Sequence, residues 1–540
     1  MNQYDIIFIH PPSIFDFRDR DDILFAFLSS SSIAVSPVYE MYPLGLKTIE
    51  TFLAQQGKKA IIINLADMML KNPGLDVEAF LKTLKAGMFG IDLHWLAHAQ
   101  GSLAVAKMLK KYHPDTPVIL GGISASYFYS ELMEYPQVDF IIRGVDTPYL
   151  IDKLLNQLSR GEYHDIMNLC WRDKSKKIII NNFSNAVSYN NIIDWTHSSK
   201  GINYFMVFSG AGCEYNCTFC SGSKYSMHKH MGVNNGFAVK EIPAFLRELE
   251  SIKEYSSKNS TVITLHHWFE DINLLEKVLN TFKMSNIKTI HFTIFQLLSK
   301  NHIKLMSAYN IRPFFEISIQ SGSEKIRRMC GNPPYSNKEL EEWLDYLFAQ
   351  NKKSIIGIFL MIGLPEQGEA DVMEDIKYAG HLMKKYENFD LNVYMSPMRP
   401  FLDPGSIIYD NPENFGYTIF FNTFKDYEKA LMVPHWKDSL NYETRWISKK
   451  QLVDISYKAT RELIAVKQKS NKLPPVISDA MTEKIDSTVR LLNIIEKYDR
   501  GSLPHDVRRK ILEYNNMIFK GSPSQQSPFN FSIHKYWHES

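Results

Sequence analysis

At 540 residues the chain is too long for one ordinary domain, and two or three are expected. Hydrophobic residues make up 45% and charged residues 22%, as in a soluble globular protein, and the formal net charge of +2 gives no reason to expect nucleic acid as a partner. Five cysteines, three of them in one loop, exclude a disulfide framework and read as metal chemistry in a reducing compartment. The start lacks the layout of a signal peptide, and no apolar stretch approaches the roughly 18–20 residues of a membrane span, so a cytoplasmic enzyme is expected.

Residues 1–158 alternate strand-like and helix-like patterns. Ile6–Ile9, Ala60–Ile63, Met88–Asp92, Val118–Leu120 and Asp139–Ile142 are short apolar runs, as buried parallel strands are. Helical spacing fills 43–56, 101–112 and about 148–158. That order predicts a doubly wound, Rossmann-like sheet, whose ligands sit beyond the carboxyl ends of the strands. The residues at those ends are His10, Pro11 and Pro12; Asp92 and His94; Gly121, Gly122 and Ser124; and Arg143 and Gly144. No Gly-x-Gly-x-x-Gly follows the first strand, which argues against a nicotinamide dinucleotide. The insert from Ser13 to Pro43 is too long for a strand–helix loop; it reads either as a cover for the cofactor face or as a solvated loop. Residues 159–200 read as a polar linker with one strand-like run at 178–180, and Cys170 within it as a small core residue.

Cys213, Cys217 and Cys220 follow a short apolar run, Phe205–Phe208, and a small turn. Thiolates ligate soft metals and iron–sulfur clusters. Three ligands on one loop can hold three irons of a four-iron cubane and leave the fourth open. Zinc would need a fourth ligand, which His228 or His230 could supply. From 201 to 405 the strand–helix period returns, with strands expected at 205–208, 261–265, 289–294, 314–319, 354–361 and 390–394. Six such units make a partial (β/α)6 barrel of TIM type, with active residues at the strands' carboxyl ends. Residues 406–520 read as a mainly helical cap, in which Asn441–Thr444 and Trp446 cover the barrel mouth or form a dimer contact. The Ser/Pro/Gln-rich residues 521–540 read as a mobile tail.

The Cys-x3-Cys-x2-Cys spacing, with Phe219 before the last cysteine, resembles the signature of the radical S-adenosylmethionine (SAM) superfamily. The resemblance implies a four-iron four-sulfur cluster held by Cys213, Cys217 and Cys220, with SAM on the open iron. One electron from an external flavodoxin- or ferredoxin-type donor then yields a 5′-deoxyadenosyl radical. Glu316, Ser318, Gln320-Ser-Gly322 and Arg327 resemble the superfamily's ribose- and carboxylate-contacting segment. Gly363-Leu-Pro365 resembles the turn that backs the adenine, and Glu270 stands where a Gly-Gly-Glu segment meets the SAM amino group, although the Gly-Gly is absent. Phe219 and Ser396 complete the SAM-binding set that the resemblance implies.

The first 158 residues resemble the cobalamin-binding domain of class B radical SAM enzymes. The Pro11-Pro12 turn, Gly121-Gly122 and Arg143-Gly144 carry that likeness, whereas Val145-Asp146-Thr147 departs from the usual Gly-Glu pattern. In this reading Gly121-Gly122 let the backbone approach the nucleotide tail, and His94 lines the corrinoid pocket or ligates the cobalt. Phe401–Gly405 resembles a Pro-Gly segment common after the barrel in such enzymes. The implied reaction is methylation of an unactivated carbon of a small molecule, lipid or natural-product precursor by way of methylcobalamin. The alternatives are a cobalamin-dependent radical oxidation, cyclisation or rearrangement, and a radical SAM enzyme with an empty first domain.

Overall fold

A computed structural model describes residues 4–30, 37–184, 190–196, 204–256, 261–266, 271–283, 285, 287–309, 311–331, 335–499 and 501–520. The tail beyond residue 520 and Glu270 lie outside them.

The first sheet is built on β1 (Tyr4–His10), whose run Ile6–Ile9 is buried on both faces. Helix α1 (Leu44–Gln55) crosses to β2 (Ala60–Asn64), and β3 (Ala86–Asp92) pairs with β1 on its other side. Helix α2 (Ala99–Tyr112), β4 (Val118–Gly121), β5 (Phe140–Ile142) and α3 (Pro148–Gln157) complete the doubly wound unit. The parallel strands run in the order β2-β1-β3-β4-β5. The order reverses between β1 and β3, so the crevice beyond His10 and Asp92 is the switch point where such sheets bind ligands.

The stretch expected as a linker does not simply connect. Strands β6 (Leu169–Arg172) and β7 (Ile178–Ile180) add to β5 antiparallel and extend the sheet to seven strands. Leu169, Cys170 and Trp171 are buried there, because an apolar run this short closes the exposed edge of β5. The first folded unit therefore continues to Ile180.

The second sheet has six parallel strands in chain order: β8 (Tyr204–Phe208), β9 (Thr261–His266), β10 (Ile287–Ile294), β11 (Arg312–Gln320), β12 (Ile355–Ile362) and β13 (Asp390–Pro397). This is the expected open barrel. Helix α4 (Glu324–Met329) follows β11, and α5 (Glu369–Lys385) lies between β12 and β13. Along β13, Leu391, Val393 and Met395 are buried while Asn392, Tyr394 and Ser396 are more open, the two-residue period of a strand with one face in a core.

The remainder is mainly helical, with α6 (Lys449–Lys469), α7 (Pro475–Ile495) and α8 (His505–Lys520). Helix α6 packs on α5 and β13. The insert after β1 is not a solvated loop. Leu24, Ala26 and Phe27 belong to the same buried cluster as the barrel strands. Asn515 of α8 accepts from Phe25 N at 3.0 Å and donates to the Ile23 carbonyl at 2.8 Å, and Leu24 N donates to the Pro434 carbonyl. A segment of the first unit thus fills the open side of the barrel against the C-terminal helices. Among the described residues no helix is long and apolar enough to cross a membrane.

Candidate active site between the two sheets

The cysteine loop is fixed by its backbone. Cys213 N donates to the Gly236 carbonyl, Thr218 N to that of Cys330 at 3.0 Å, Cys220 N to that of Cys217, and Ile408 N to that of Thr218 at 2.9 Å. Phe219 packs with Ile326, Cys330, Leu364 and Met361, which seats the loop on α4 and on the turn after β12. Each of the three sulfurs receives an N–H group. Cys220 accepts from Gly222 N at 3.3 Å, Cys217 from Gln320 Nε2 at 3.8 Å, and Cys213 from the backbone of Tyr215 and Glu214. Hydrogen bonds of this kind stabilise thiolate and tune a cluster's potential. Burial, the largest cause, with the neighbouring acidic groups pushes the Cys213 thiol up to about 11 and raises that of Cys220, so the protons leave when metal is bound.

Zinc fits this loop poorly. His228 Nδ1 lies 3.4 Å from the Val233 carbonyl, and His230 Nε2 lies 3.3 Å from Asp410. Among the described residues no three His, Cys, Asp or Glu side chains converge as single-ion ligands. Three thiols that each carry an N–H donor suit an iron–sulfur cluster.

Gln320 sits at an irregularity between β11 and β12 with φ +67, a conformation most side chains avoid, and is 2% exposed. That conformation turns its amide toward Cys217. On the inner face of β11, Glu316 pairs with His291 Nε2 at 3.0 Å, and Ser318 is half-buried. Arg327 is 1% exposed. It donates to Asn337 Oδ1, while its Nε and Nη1 have no hydrogen-bond partner among the described residues. Asn337 Nδ2 donates to the Gly322 carbonyl at 2.8 Å. A buried guanidinium with two free N–H groups fits a carboxylate such as that of SAM. Gly363 has φ +96, and a Cβ there would meet Tyr442 Oη at 2.7 Å; Tyr417 O–H donates to its carbonyl. Residues of the C-terminal region therefore brace this turn. Ser396, at the end of β13, is exposed.

The ends of β1 and β3 are joined by side chains. His10 Nδ1 lies 2.9 Å from Asp92 Oδ2, and its Nε2 lies 3.0 Å from the Tyr39 carbonyl. Burial works against charge on Asp92, but its bond with His10 outweighs this and holds its pKa below the ordinary carboxylate value. Asp92 Oδ1 also accepts from His94 N at 3.0 Å. His98 Nδ1 lies 3.0 Å from the Pro11 carbonyl, and burial pushes that imidazole down to about 3. His10 and Asp92 thus shape the Pro11-Pro12 turn and the turn carrying His94. The His94 side chain is open to solvent, and its pKa is lowered, chiefly by desolvation. Asp403, after the barrel, lies within electrostatic range of His94 and accepts from Ser221 N at 3.1 Å and Ser221 Oγ at 2.9 Å, next to Cys220. The sheet's switch point and the cysteine loop therefore meet at Asp403.

The other residues at the strand ends pack within the protein. Gly122 has φ +117, and a Cβ there would meet His94 Cα at 2.6 Å; Ser124 N and Oγ both donate to the His94 carbonyl. The missing side chain at Gly122 serves this packing. Gly121 faces Ile142 at 3.2 Å. Arg143 is spent within the protein: Nη2 donates to the Asn181 carbonyl at 2.7 Å, and its guanidinium lies between Tyr129 and Phe183 at 4.6 and 4.9 Å. Gly144 faces the Met231 carbonyl. Sequence reasoning missed Asp403, although it stands inside the quoted Phe401–Gly405, and missed Gln367 and Asp375, for which no motif gives a signal.

Residues 31–150 match the B12 binding domain, and residues 207–379 match the radical SAM superfamily. The chain carries a B12-binding domain followed by a radical SAM domain. It is 23% identical to the threonylcarbamoyladenosine tRNA methylthiotransferase MtaB of Aquifex aeolicus over 54% of this chain and 66% of that protein. It is 21% identical to an uncharacterized methyltransferase of Pyrococcus horikoshii over 65% of this chain and 75% of that one. The chain thus spans about two thirds to three quarters of these relatives' length. Its fold is that of the radical SAM methyltransferase TsrM from Kitasatospora setae, solved with cobalamin and a [4Fe-4S] cluster (TM-score 0.54, 11% identity, 95% of this chain and 99% of that one). The cobalamin-dependent radical enzyme OxsB with aqua-cobalamin gives a TM-score of 0.55 at 12% identity, over 96% of this chain and 80% of that one. The matched families are those of B12 binding and of radical SAM chemistry.

Proposed function

We propose that this cobalamin-dependent radical SAM enzyme methylates an unactivated carbon of a small-molecule, lipid or natural-product substrate. One observation carries the reading: His94 at the switch point lies within electrostatic range of Asp403, which is hydrogen-bonded to Ser221 beside Cys220 of the cluster loop. When bound, the cofactors supply a 5′-deoxyadenosyl radical and a methyl group.

The chain's own residues hold and orient. Cys213, Cys217 and Cys220 would ligate the cluster, with N–H groups steadying each sulfur. Phe219, Glu316, Ser318, Gln320, Arg327, Gly363 and Ser396 would surround SAM, with the two free N–H groups of Arg327 toward its carboxylate. His94, open to solvent, would meet the corrinoid from the turn that Asp92, Gly122 and Ser124 fix. His10, Pro11 and Pro12 would form the adjoining wall, and Gly121, Arg143 and Gly144 would support it from behind. The insert excludes water from the open barrel. Electrons would come from a flavodoxin- or ferredoxin-type donor in the cytoplasm. The methyltransferase and methylthiotransferase relatives favour group transfer from SAM.

Protein reconstituted anaerobically with iron, sulfide and hydroxocobalamin tests this reading. Retained corrinoid, 5′-deoxyadenosine release and product carrying label from methyl-labelled SAM are expected. Unlabelled product would replace methylation by a radical oxidation or rearrangement.

A further inference from the structure

A cavity of about 390 Å³ lies where the insert, the inner face of the barrel edge and the C-terminal region meet. Phe25 and Phe27 come from the insert, Phe359 from β12, Tyr394 from β13 and Trp436 from the segment before α6. Ser396, at the end of β13, also opens into it. The walls are aromatic and apolar, and the volume suits one small molecule.

Arg399 is the only charged side chain among the described lining residues. It is half-buried and lies over the Trp436 ring at 5.4 Å. Its one hydrogen bond among the described residues is a long one, from Nη2 to the Ala26 carbonyl at 3.4 Å. Tyr39, Tyr457 and Tyr514 lie within electrostatic range, but among the described residues no Asp or Glu pairs with it. A second basic side chain stands behind the wall. Lys467 is 2% exposed, donates to the Ser30 carbonyl at 2.8 Å and sits 4.3 Å from the Tyr394 ring centre. It too has no acidic partner among the described residues. A half-enclosed guanidinium without a carboxylate is costly unless a ligand brings one, and its fork suits a carboxylate's two oxygens.

We infer that this cavity is the substrate site of the reaction proposed above, and that the substrate is a small, flat, apolar carboxylic acid with its carboxylate on Arg399. The ring system lies among Phe25, Phe27, Phe359 and Tyr394, and the carbon to be functionalised points toward Ser396 and the cofactors.

Naphthalene-2-carboxylate and its neutral analogue naphthalene-2-methanol test the inference by calorimetric titration of the reconstituted full chain without reductant. The carboxylate should bind about tenfold more tightly than the alcohol. Arg399→Gln should abolish that preference and Arg399→Lys should restore part of it, with cluster absorbance and circular dichroism reporting a folded protein. Equal affinities in the unmutated protein, an unchanged preference in Arg399→Gln, or no binding of either probe at millimolar concentration would overturn it. The comparison of the two probes stands even where a variant does not fold. Carboxylate preference without SAM cleavage in the reconstituted enzyme would sink the proposed reaction and keep this site; SAM cleavage without preference would sink the site alone.

Discussion

A 3.1 Å hydrogen bond from Gln367 Nε2 to Asp375 Oδ2 ties together the turns at the carboxyl ends of β11 and β12. Asp375 Oδ1 accepts from Ser321 Oγ at 2.8 Å and Gly322 N at 2.6 Å, after β11. Gln367 Oε1 accepts from Gly363 N at 2.8 Å and Leu364 N at 3.2 Å, after β12. Both turns belong to the proposed SAM site, and neither Gln367 nor Asp375 needs to touch SAM to shape it. Asp375→Ala should weaken SAM binding about tenfold, the loss of hydrogen bonds to a charged group, while iron content stays full. Equilibrium dialysis with labelled SAM and an iron assay on the same sample measure both. Unchanged SAM affinity would confine Asp375 to a structural role. Burial pushes its pKa up to about 6. With the native pKa raised above its ordinary 3.8, this carboxyl's contribution to stability is full below 3.8 and fades as pH rises through about 6.

Cys330 separates a ligand from a bystander. It is 0% exposed, packs with Ile326 and Leu364, and lies close enough to Cys217 to interact with it electrostatically. No N–H donor to its sulfur is seen among the described residues, unlike the three loop cysteines. Cys330→Ala should therefore keep the iron–sulfur absorbance. Cys213→Ala, Cys217→Ala and Cys220→Ala should each lose most of it. Loss of the cluster in Cys330→Ala would make it a ligand.

His94→Ala should reduce corrinoid retention about tenfold without loss of iron, measured by absorbance after gel filtration of reconstituted protein. Asp403→Asn should have a milder effect, because Ser221 can still donate to the remaining oxygen. A His94 variant with full corrinoid content would move the binding surface elsewhere on the switch point.

Regular elements were legible because their signals are local. The runs Ile6–Ile9 and Ser354–Met361 are strands whichever partners they find, and the observed β1 and β12 lie within a few residues of them. The cysteine loop was legible because its spacing is itself the ligand set. What stayed hidden depends on distant parts of the chain. Phe27 reads as a loop residue until its N–H is seen to donate to Tyr514, 487 residues away. The packing of the His94 backbone against Gly122 has no local signal either. Leu169–Arg172 reads as linker until the edge of β5 gives it a partner.

Lys467 makes stability depend on pH in a way its surroundings fix. Burial lowers its pKa from 10.5 to about 7, and the groups facing it are the Ser30 carbonyl and the Tyr394 ring. The unfolded chain binds a proton that the native protein has released between about pH 7 and 10.5, so this residue's contribution raises stability as pH rises through that window. Below about pH 7 the native protein carries a buried charge and loses that gain. Lys467→Met removes the charge and keeps most of the volume. It should stabilise the protein by about 2 kcal/mol near pH 7 and flatten the rise toward pH 9.5, read as melting temperature at the two pH values. A variant as pH-dependent as the parent would show that Lys467 stays charged, held by Ser30 and Tyr394 strongly enough to offset its burial.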